Sequence, residues 1–420
     1  MVGGLEVIVG GKGSGKTARL NEIFTRYEKT RGKNLLYVVH EKTFEESDEK
    51  TRESYKNNSV KVLSTVEDLY FILSRAVKGE KAIFVDGAEQ FFEDDFVLLL
   101  NTLANLGNNV FAAGTPMIPG KDLPYPIIPA LLATADDVTI LNNREGKIKS
   151  RGSLNIITGC MFAGKSTKLQ QILYSNKEKA IGFKKGIDDE RLPDSKKRTI
   201  TSQNVKNPFY FPSHNIYSED EILKILEEQS KSKKYSIVGI DEANFLMDLI
   251  EEDVTGDVLT LFNEQNKLIK SKIKRVGNYR VEYKGGRISK VVFRRSKLFT
   301  IVDELVKKGF NVFVSGLDTD YRAEPWPWTD LFCKADKIEK LKALCDFEGC
   351  GKKAVRTMRL EVVGNLFLYT SYKGETVVVG TDHKLAHNFV YEAVCREHHK
   401  VLDIPEEKDP RVKFPALFND

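Results

Sequence analysis

Two kinds of hydrophobic pattern alternate along this chain. Short apolar runs at residues 5–9, 82–85, 109–113, 154–157, 236–240 and 311–315 have the length and β-branched content of strands covered on both faces. Between them, stretches such as 18–27, 167–174 and 298–308 carry apolar residues at helical spacing. Strands of this type separated by helices predict parallel sheets, because a parallel pair needs a crossover connection, and that connection covers a face of the sheet. The expected fold class is α/β.

The pattern occurs twice. LEVIVGGKGSGKT (5–17) is answered by LNIITGCMFAGKS (154–166), AIFVD (82–86) by SIVGID (236–241), and NVFAAG (109–114) by NVFVSG (311–316). LPYP (123–126) and ADDVTIL (135–141) are answered by EPWP (324–327) and ADKIEKL (335–341). Five landmarks in one order predict two P-loop NTPase-like parallel-sheet units in tandem. The expected boundaries are 1–145 for the first unit and 151–343 for the second, joined by the polar stretch 142–152. The second unit has an insert at 249–297, where Gly285 and Gly286 between alternating runs signal a hairpin. A cysteine-bearing subdomain at 344–402 and a C-terminal tail at 403–420 complete the chain.

Composition narrows this further. At 420 residues the chain exceeds one ordinary domain, and five cysteines are too few for a disulfide framework. No apolar run approaches the ~20 residues of a spanning helix, and the N-terminus lacks a secretory leader, so a soluble, cytoplasmic protein without membrane partners is expected. Residues 1–150 hold 19 Lys+Arg against 21 Asp+Glu, leaving 46 against 39 for the rest, so the positive excess lies entirely in the second part.

Both glycine loops fit G-x-x-x-x-G-K-[ST]: Gly10, Gly15, Lys16 and Thr17 in the first, and Gly159, Gly164, Lys165 and Ser166 in the second. Backbone N–H groups at such a loop and the following helix N-terminus hold phosphate oxygens, while the lysine neutralises charge and the hydroxyl reaches Mg²⁺. The expected cofactor-binding set is Gly159, Cys160, Met161, Phe162, Ala163, Gly164, Lys165, Ser166, Thr167 and Asp241, for a nucleotide with Mg²⁺. Asp241 and Asp86 end the second apolar strand of their units, where a Mg²⁺-side carboxylate belongs. Glu242 follows Asp241 and is placed to act as a base on a hydroxyl, or to orient water in an ATPase.

Cys345-x4-Cys350 and Cys395-x2-His398 supply a Cys₃His ligand set for tetrahedral Zn²⁺, with His399 as the alternative to His398. The second unit is thus expected to carry a small zinc-binding subdomain. Cys160 and Cys333 read as buried bystanders.

GCMFAGKST (159–167), IDEANF (240–245), GLDTDYRAEPW (316–326) and YEAVCREH (391–398) together closely resemble the type II thymidine kinases over about 151–248 and 298–400. That resemblance implies ATP-dependent phosphorylation of the 5′-hydroxyl of thymidine, giving dTMP and ADP in pyrimidine deoxynucleotide salvage. It implies Glu242 as the general base, Arg191 near the transferred phosphoryl group, and Ser166 with Asp241 as magnesium ligands. It also implies Met161, Phe245, Leu317, Tyr321 and Trp326 as walls of the nucleoside site. Thr376, Val377, Val378, Val379, Gly380 and Tyr391 would form the loop that grips the base. Tyr321 and Trp326 stand where Phe is usual, and the base-binding loop is longer than the family's. The family assembles as tetramers, so two chains of this tandem would make a pseudo-tetramer.

The first unit departs from this pattern. Gly87 follows Asp86 where a glutamate is needed, and Glu89 could take its place only through a one-residue bulge. The unit is expected to be degenerate, with a second nucleotide site at Gly10, Gly15, Lys16, Thr17 and Asp86. From 267 to 297 there are 12 Lys+Arg against Glu282 alone, interleaved with Tyr279, Tyr283 and Phe293. Such a segment either contacts nucleic acid or has a structural role, as a solvated surface hairpin or as a contact with the acidic first unit; we favour the structural role. The alternatives to thymidine phosphorylation are therefore a nucleic-acid-binding P-loop protein and a kinase for another deoxynucleoside.

Overall fold

In a computed structural model, residues 3–31, 34–57, 60–76, 81–141, 151–186, 198–200, 210–265, 273–284, 287–376 and 388–418 are described. The chain divides into two compact units. One comprises Met1–Glu145, Glu251–Arg295 and Pro405–Asp420, and the other Gly146–Ile250 and Ser296–Ile404.

The apolar runs become parallel strands. In the first unit the sheet order is Lys61–Leu63, Leu35–His40, Ala82–Asp86, Asn109–Gly114, Gly4–Gly10 and Asp137–Leu141, with every neighbouring pair parallel. In the second it is His214–Ile216, Ala180–Lys185, Ile237–Asp241, Asn311–Gly316, Leu154–Gly159 and Lys337–Leu341, again all parallel. Taken in chain order within each unit, the two sheets have the same strand order, so the repeated landmarks occupy equivalent places. Both sheets are covered by helices, as the buried character of strands such as Ala82–Asp86 requires. The helix after each glycine loop, Lys16–Arg31 or Lys165–Ser175, packs on its own sheet, burying Leu20, Ile23 and Phe24 in one case and Leu169 and Leu173 in the other. The stacked pair Phe84 and Phe111, 4.9 Å between ring centroids, anchors the first core.

The insert departs from its expected place. Its strands Leu249–Asp253, Arg287–Ser296, Tyr279–Lys284 and Ile273–Val276 form a four-stranded sheet in that order. Lys284 pairs with Arg287 across the predicted hairpin, whose Gly285 and Gly286 lie outside the described residues. Residues 251–295 were expected within the second unit but are part of the first. Tyr279 donates its hydroxyl to the Pro124 carbonyl at 2.7 Å, Phe92 meets Phe262 edge-on, and Arg295 donates to the Asp122 carbonyl. The C-terminal tail joins the same unit through Lys413–Asp95 and the Tyr70–Phe414 ring contact.

Four cations of the basic segment are paired in and around this sheet. Arg280 and Arg294 pair with Glu251, Lys290 with Asp253, and the nearly buried Arg295 with Glu252 and Asp122. An acidic strand edge inside the same sheet neutralises these cations. Among the described residues, no helix is long and apolar enough to cross a membrane.

Candidate active site

A parallel sheet brings the C-terminal ends of its strands to one edge, where ligands of such folds bind. In the second unit that edge carries Gly159 and the loop after it, then Gly316, then Asp241, on adjacent strands. Gly159 has φ of +140°, and a Cβ there would sit 2.1 Å from the Leu341 carbonyl oxygen, so only glycine lets the loop leave the strand. Gly164, at φ +85°, turns the chain into the helix whose first residue is Lys165. Lys165 is buried and donates to the Cys160 carbonyl at 2.7 Å, which folds its ammonium back over the loop. The loop thus concentrates backbone donors, a helix N-terminus and one cation, as phosphate requires.

Asp241 is buried and accepts a short hydrogen bond from the Ser315 hydroxyl on the neighbouring strand. Glu242 begins the turn Ala243–Phe245 with φ 55° and ψ 44°, the left-handed region that a non-glycine residue enters at a cost of about 1 kcal/mol. Asn244, in that turn, accepts the Leu317 N–H at 3.0 Å and so fixes the turn against the following strand end. The surrounding hydrogen bonds hold Glu242 in a strained conformation beside the buried Asp241.

Around the predicted nucleoside residues, the contacts centre on Tyr321. Tyr321 is buried, and its hydroxyl donates toward the Ser371 and Gly374 carbonyls at 3.0 and 2.9 Å. Arg359, almost fully buried, lies 3.7 Å from the Tyr321 ring centroid and donates to the Glu375 carbonyl at 2.5 Å. Arg322 reaches the Thr376 hydroxyl, and Asp320 pairs with it at 2.7 Å. Met161 donates its N–H to the Thr357 hydroxyl at 3.0 Å, tying the phosphate loop to the strand Arg356–Val363. Trp326 is buried; Phe245, Leu317 and Tyr391 are half-buried. Arg191, Val377, Val378, Val379 and Gly380 lie outside the described residues. Thr357, Arg359 and Ser315 escaped the sequence reading. Thr357 and Arg359 are two apart in a strand, hence on one face, and that polar pairing was the available signal.

Four predicted metal ligands converge. The ligand atoms of Cys345, Cys350, Cys395 and His398 all lie within 4.8 Å of one another. His398 Nδ1 is 3.4 Å from Cys345 Sγ and 3.5 Å from Cys395 Sγ, and Cys350 Sγ is 3.8 Å from Cys395 Sγ. A zinc–sulfur bond of ~2.3 Å gives tetrahedron edges of about 3.7 Å, so these spacings fit a tetrahedral ion. His399 is not in the group. It is half-buried, desolvation pushes its imidazole down to about 4, and its Nε2 donates to the Tyr321 carbonyl at 2.8 Å.

In the first unit the corresponding elements hold different chemistry. Gly87 has φ 76° and ψ 35°, the conformation of Glu242, at the start of the equivalent turn Ala88–Gln90. A Cβ there would fall 2.0 Å from Thr43 Oγ1, so the space for a side chain is already filled. Glu89 accepts from the Thr115 N–H just as Asn244 accepts from Leu317. It is therefore the counterpart of Asn244, and no bulge brings it to the place of Glu242.

The second unit's sheet order, glycine loop, buried aspartate and adjoining glutamate define a P-loop phosphotransferase. A family model described as thymidine kinase matches residues 3–144, 152–259 and 253–399, so each sheet carries its own match. The chain belongs to the thymidine kinase family. It is 29% identical over 276 residues to a thymidine kinase of Ureaplasma urealyticum, covering 65% of this chain and 93% of the relative. It is 27% identical over 250 residues to one of Mycoplasma capricolum, covering 59% and 88%. To one of Thermococcus kodakarensis it is 26% identical over 258 residues, covering 60% and 96%.

Proposed function

We propose that the second unit transfers the γ-phosphoryl group of ATP to the 5′-hydroxyl of thymidine, releasing dTMP and ADP. The observation that carries this reading is Glu242 beside Asp241 at the sheet edge that presents the phosphate loop, in a chain of the thymidine kinase family. Loop amides and Lys165 hold the ATP phosphates. Ser166 and Asp241 offer the hydroxyl and carboxylate oxygens that Mg²⁺ takes, and the bound ion would offset phosphate charge. Glu242 takes the proton of the 5′-hydroxyl as its oxygen attacks the γ-phosphorus, and Arg191 supplies positive charge to the transferred group. Met161, Phe245, Leu317, Tyr321 and Trp326 enclose the nucleoside, and 376–380 with Tyr391 hold its base. Cys345, Cys350, Cys395 and His398 would hold Zn²⁺ in a structural role. Two chains would bring four such units into one assembly.

The test is a panel of deoxynucleosides and ribonucleosides with ATP and Mg²⁺, read by formation of the 5′-monophosphate. Thymidine should have the highest kcat/KM. Preference for another nucleoside would reassign the substrate, and no phosphorylation of any of them would reject the reading.

The Tyr321 hydroxyl should matter to one substrate only. It anchors residues 371–374, directly before the base-binding loop, and has no bond to the phosphate loop. Tyr321→Phe is expected to raise the thymidine KM about five- to tenfold, the worth of one to two hydrogen bonds, while leaving the ATP KM in place. Steady-state kinetics varying each substrate in turn would check this, and equal changes in both constants would contradict it.

A further inference from the structure

The first unit has lost its base but has kept the parts that hold a nucleotide. We infer that it is a second, non-catalytic site for a magnesium-bound nucleoside triphosphate, formed by the loop 10–17 with Asp86 and Glu89. The loop retains its shape: Gly13 and Gly15 have φ of +78° and +86°, and the helix Lys16–Arg31 begins directly after them. Lys16 donates to the Gly10 and Gly11 carbonyls, each at 2.9 Å, the same fold-back that Lys165 makes onto Cys160. Loop amides, helix N-terminus and lysine therefore repeat the phosphate-binding arrangement of the second unit.

The cation side is also built. Asp86 is buried and hydrogen-bonded by the Thr17 hydroxyl, the pairing of loop hydroxyl and strand-end carboxylate that flanks Mg²⁺ in such folds. Tyr55 donates to Asp86 Oδ2 at 2.8 Å and the Gly87 N–H to Oδ1 at 3.0 Å, which fix the carboxylate plane. Glu89 is 7% exposed, and its Oε2 has no hydrogen-bond partner. Its carboxylate is the charge that acts most strongly on Lys16, ahead of Asp86. A buried carboxylate oxygen left unpaired beside a lysine and a second acid is costly unless something fills the space between them. A divalent ion carrying phosphate oxygens does so, because the ion takes the carboxylates while the phosphates take Lys16 and the loop amides.

Turnover is excluded by the same geometry. Gly87 holds the left-handed position of the base, and Thr43 fills the volume that a side chain there would need. The bound triphosphate should remain intact.

The experiment is calorimetric titration of the full chain with Mg²⁺ and a non-hydrolysable ATP analogue, thymidine being present to fill the nucleoside site. Two equivalents per chain are expected, falling to one in Lys165→Ala and to one in Lys16→Ala. ATP given to Lys165→Ala should be recovered unhydrolysed from the remaining site. A single equivalent in the unaltered chain would overturn the inference without touching the kinase reading. So would two equivalents that persist in Lys16→Ala, because the second would then lie elsewhere. Asp86→Asn gives an independent check: the Mg²⁺-dependent part of one equivalent should be lost.

Discussion

Glu242→Gln lowers kcat for thymidine phosphorylation by two to four orders of magnitude while ATP binding persists, the range that loss of a positioned general base produces. Glutamine keeps the size and hydrogen-bonding reach of glutamate and enters the left-handed region at similar cost, so the turn Ala243–Phe245 and its bond from Leu317 to Asn244 remain. What is removed is the ability to accept the 5′-hydroxyl proton. Asp241→Asn acts differently, because it weakens the Mg²⁺ side and should raise the ATP KM as well as lower kcat. Single-turnover kinetics on Glu242→Gln, with ATP affinity measured separately, separates the two. A variant with more than a tenth of normal kcat would remove Glu242 from the role of base. The first unit contains the natural counterpart, Gly87. Restoring glutamate at that position is not expected to create activity, since Thr43 stands 2.0 Å from where its Cβ would lie.

Most of the framework around Glu242 was readable from residue pattern alone. Strand runs such as 82–85 and 236–240 are too apolar and too short for anything but buried parallel strands. The glycine loops mark where the sheet edge turns into helix. The helices expected at 18–27, 167–174 and 298–308 form as Lys16–Arg31, Lys165–Ser175 and Lys297–Lys307. The allegiance of the insert was not readable in the same way. Its hairpin is local and follows from alternation, but its place in the first unit depends on Tyr279 reaching Pro124 and Arg295 reaching Asp122, contacts more than a hundred residues apart. Nothing in the local sequence encodes such a partner. The Glu89 alternative failed for a related reason. Spacing alone allowed a bulge, whereas the hydrogen bond from the strand end fixes the register and makes Glu89 the counterpart of Asn244.

Replacing Cys395 by Ser is expected to abolish metal binding and, with it, most nucleoside affinity. Cys395 directly follows the strand Phe389–Val394, which pairs along Arg356–Val363, and its Sγ contacts both Cys350 and His398. Few apolar residues support this subdomain: Cys345, Met358, Leu360, Val394 and Cys395 form its small core, so three of the metal's four ligands lie in or against that cluster. With so little burial, a bound ion would supply much of the cohesion, and zinc contributes ~10–16 kcal/mol in small domains that fold only with metal. Loss of even about 5 kcal/mol would lower the thermal midpoint of a unit this size by roughly 10–20 °C. The damage should pass to the nucleoside site along a defined route. His399 holds the Tyr321 carbonyl, Tyr321 holds residues 371–374, and Arg359 on the central strand holds Glu375. The phosphate loop depends on this subdomain less, chiefly through Met161 to Thr357 and Cys160 to the Ala354 carbonyl. The unaltered chain should therefore contain one zinc per chain by elemental analysis. Cys395→Ser, or prolonged chelation, should raise the thymidine KM far more than the ATP KM. A metal-free chain with normal melting behaviour and normal thymidine affinity would show that the four ligands converge without holding an ion.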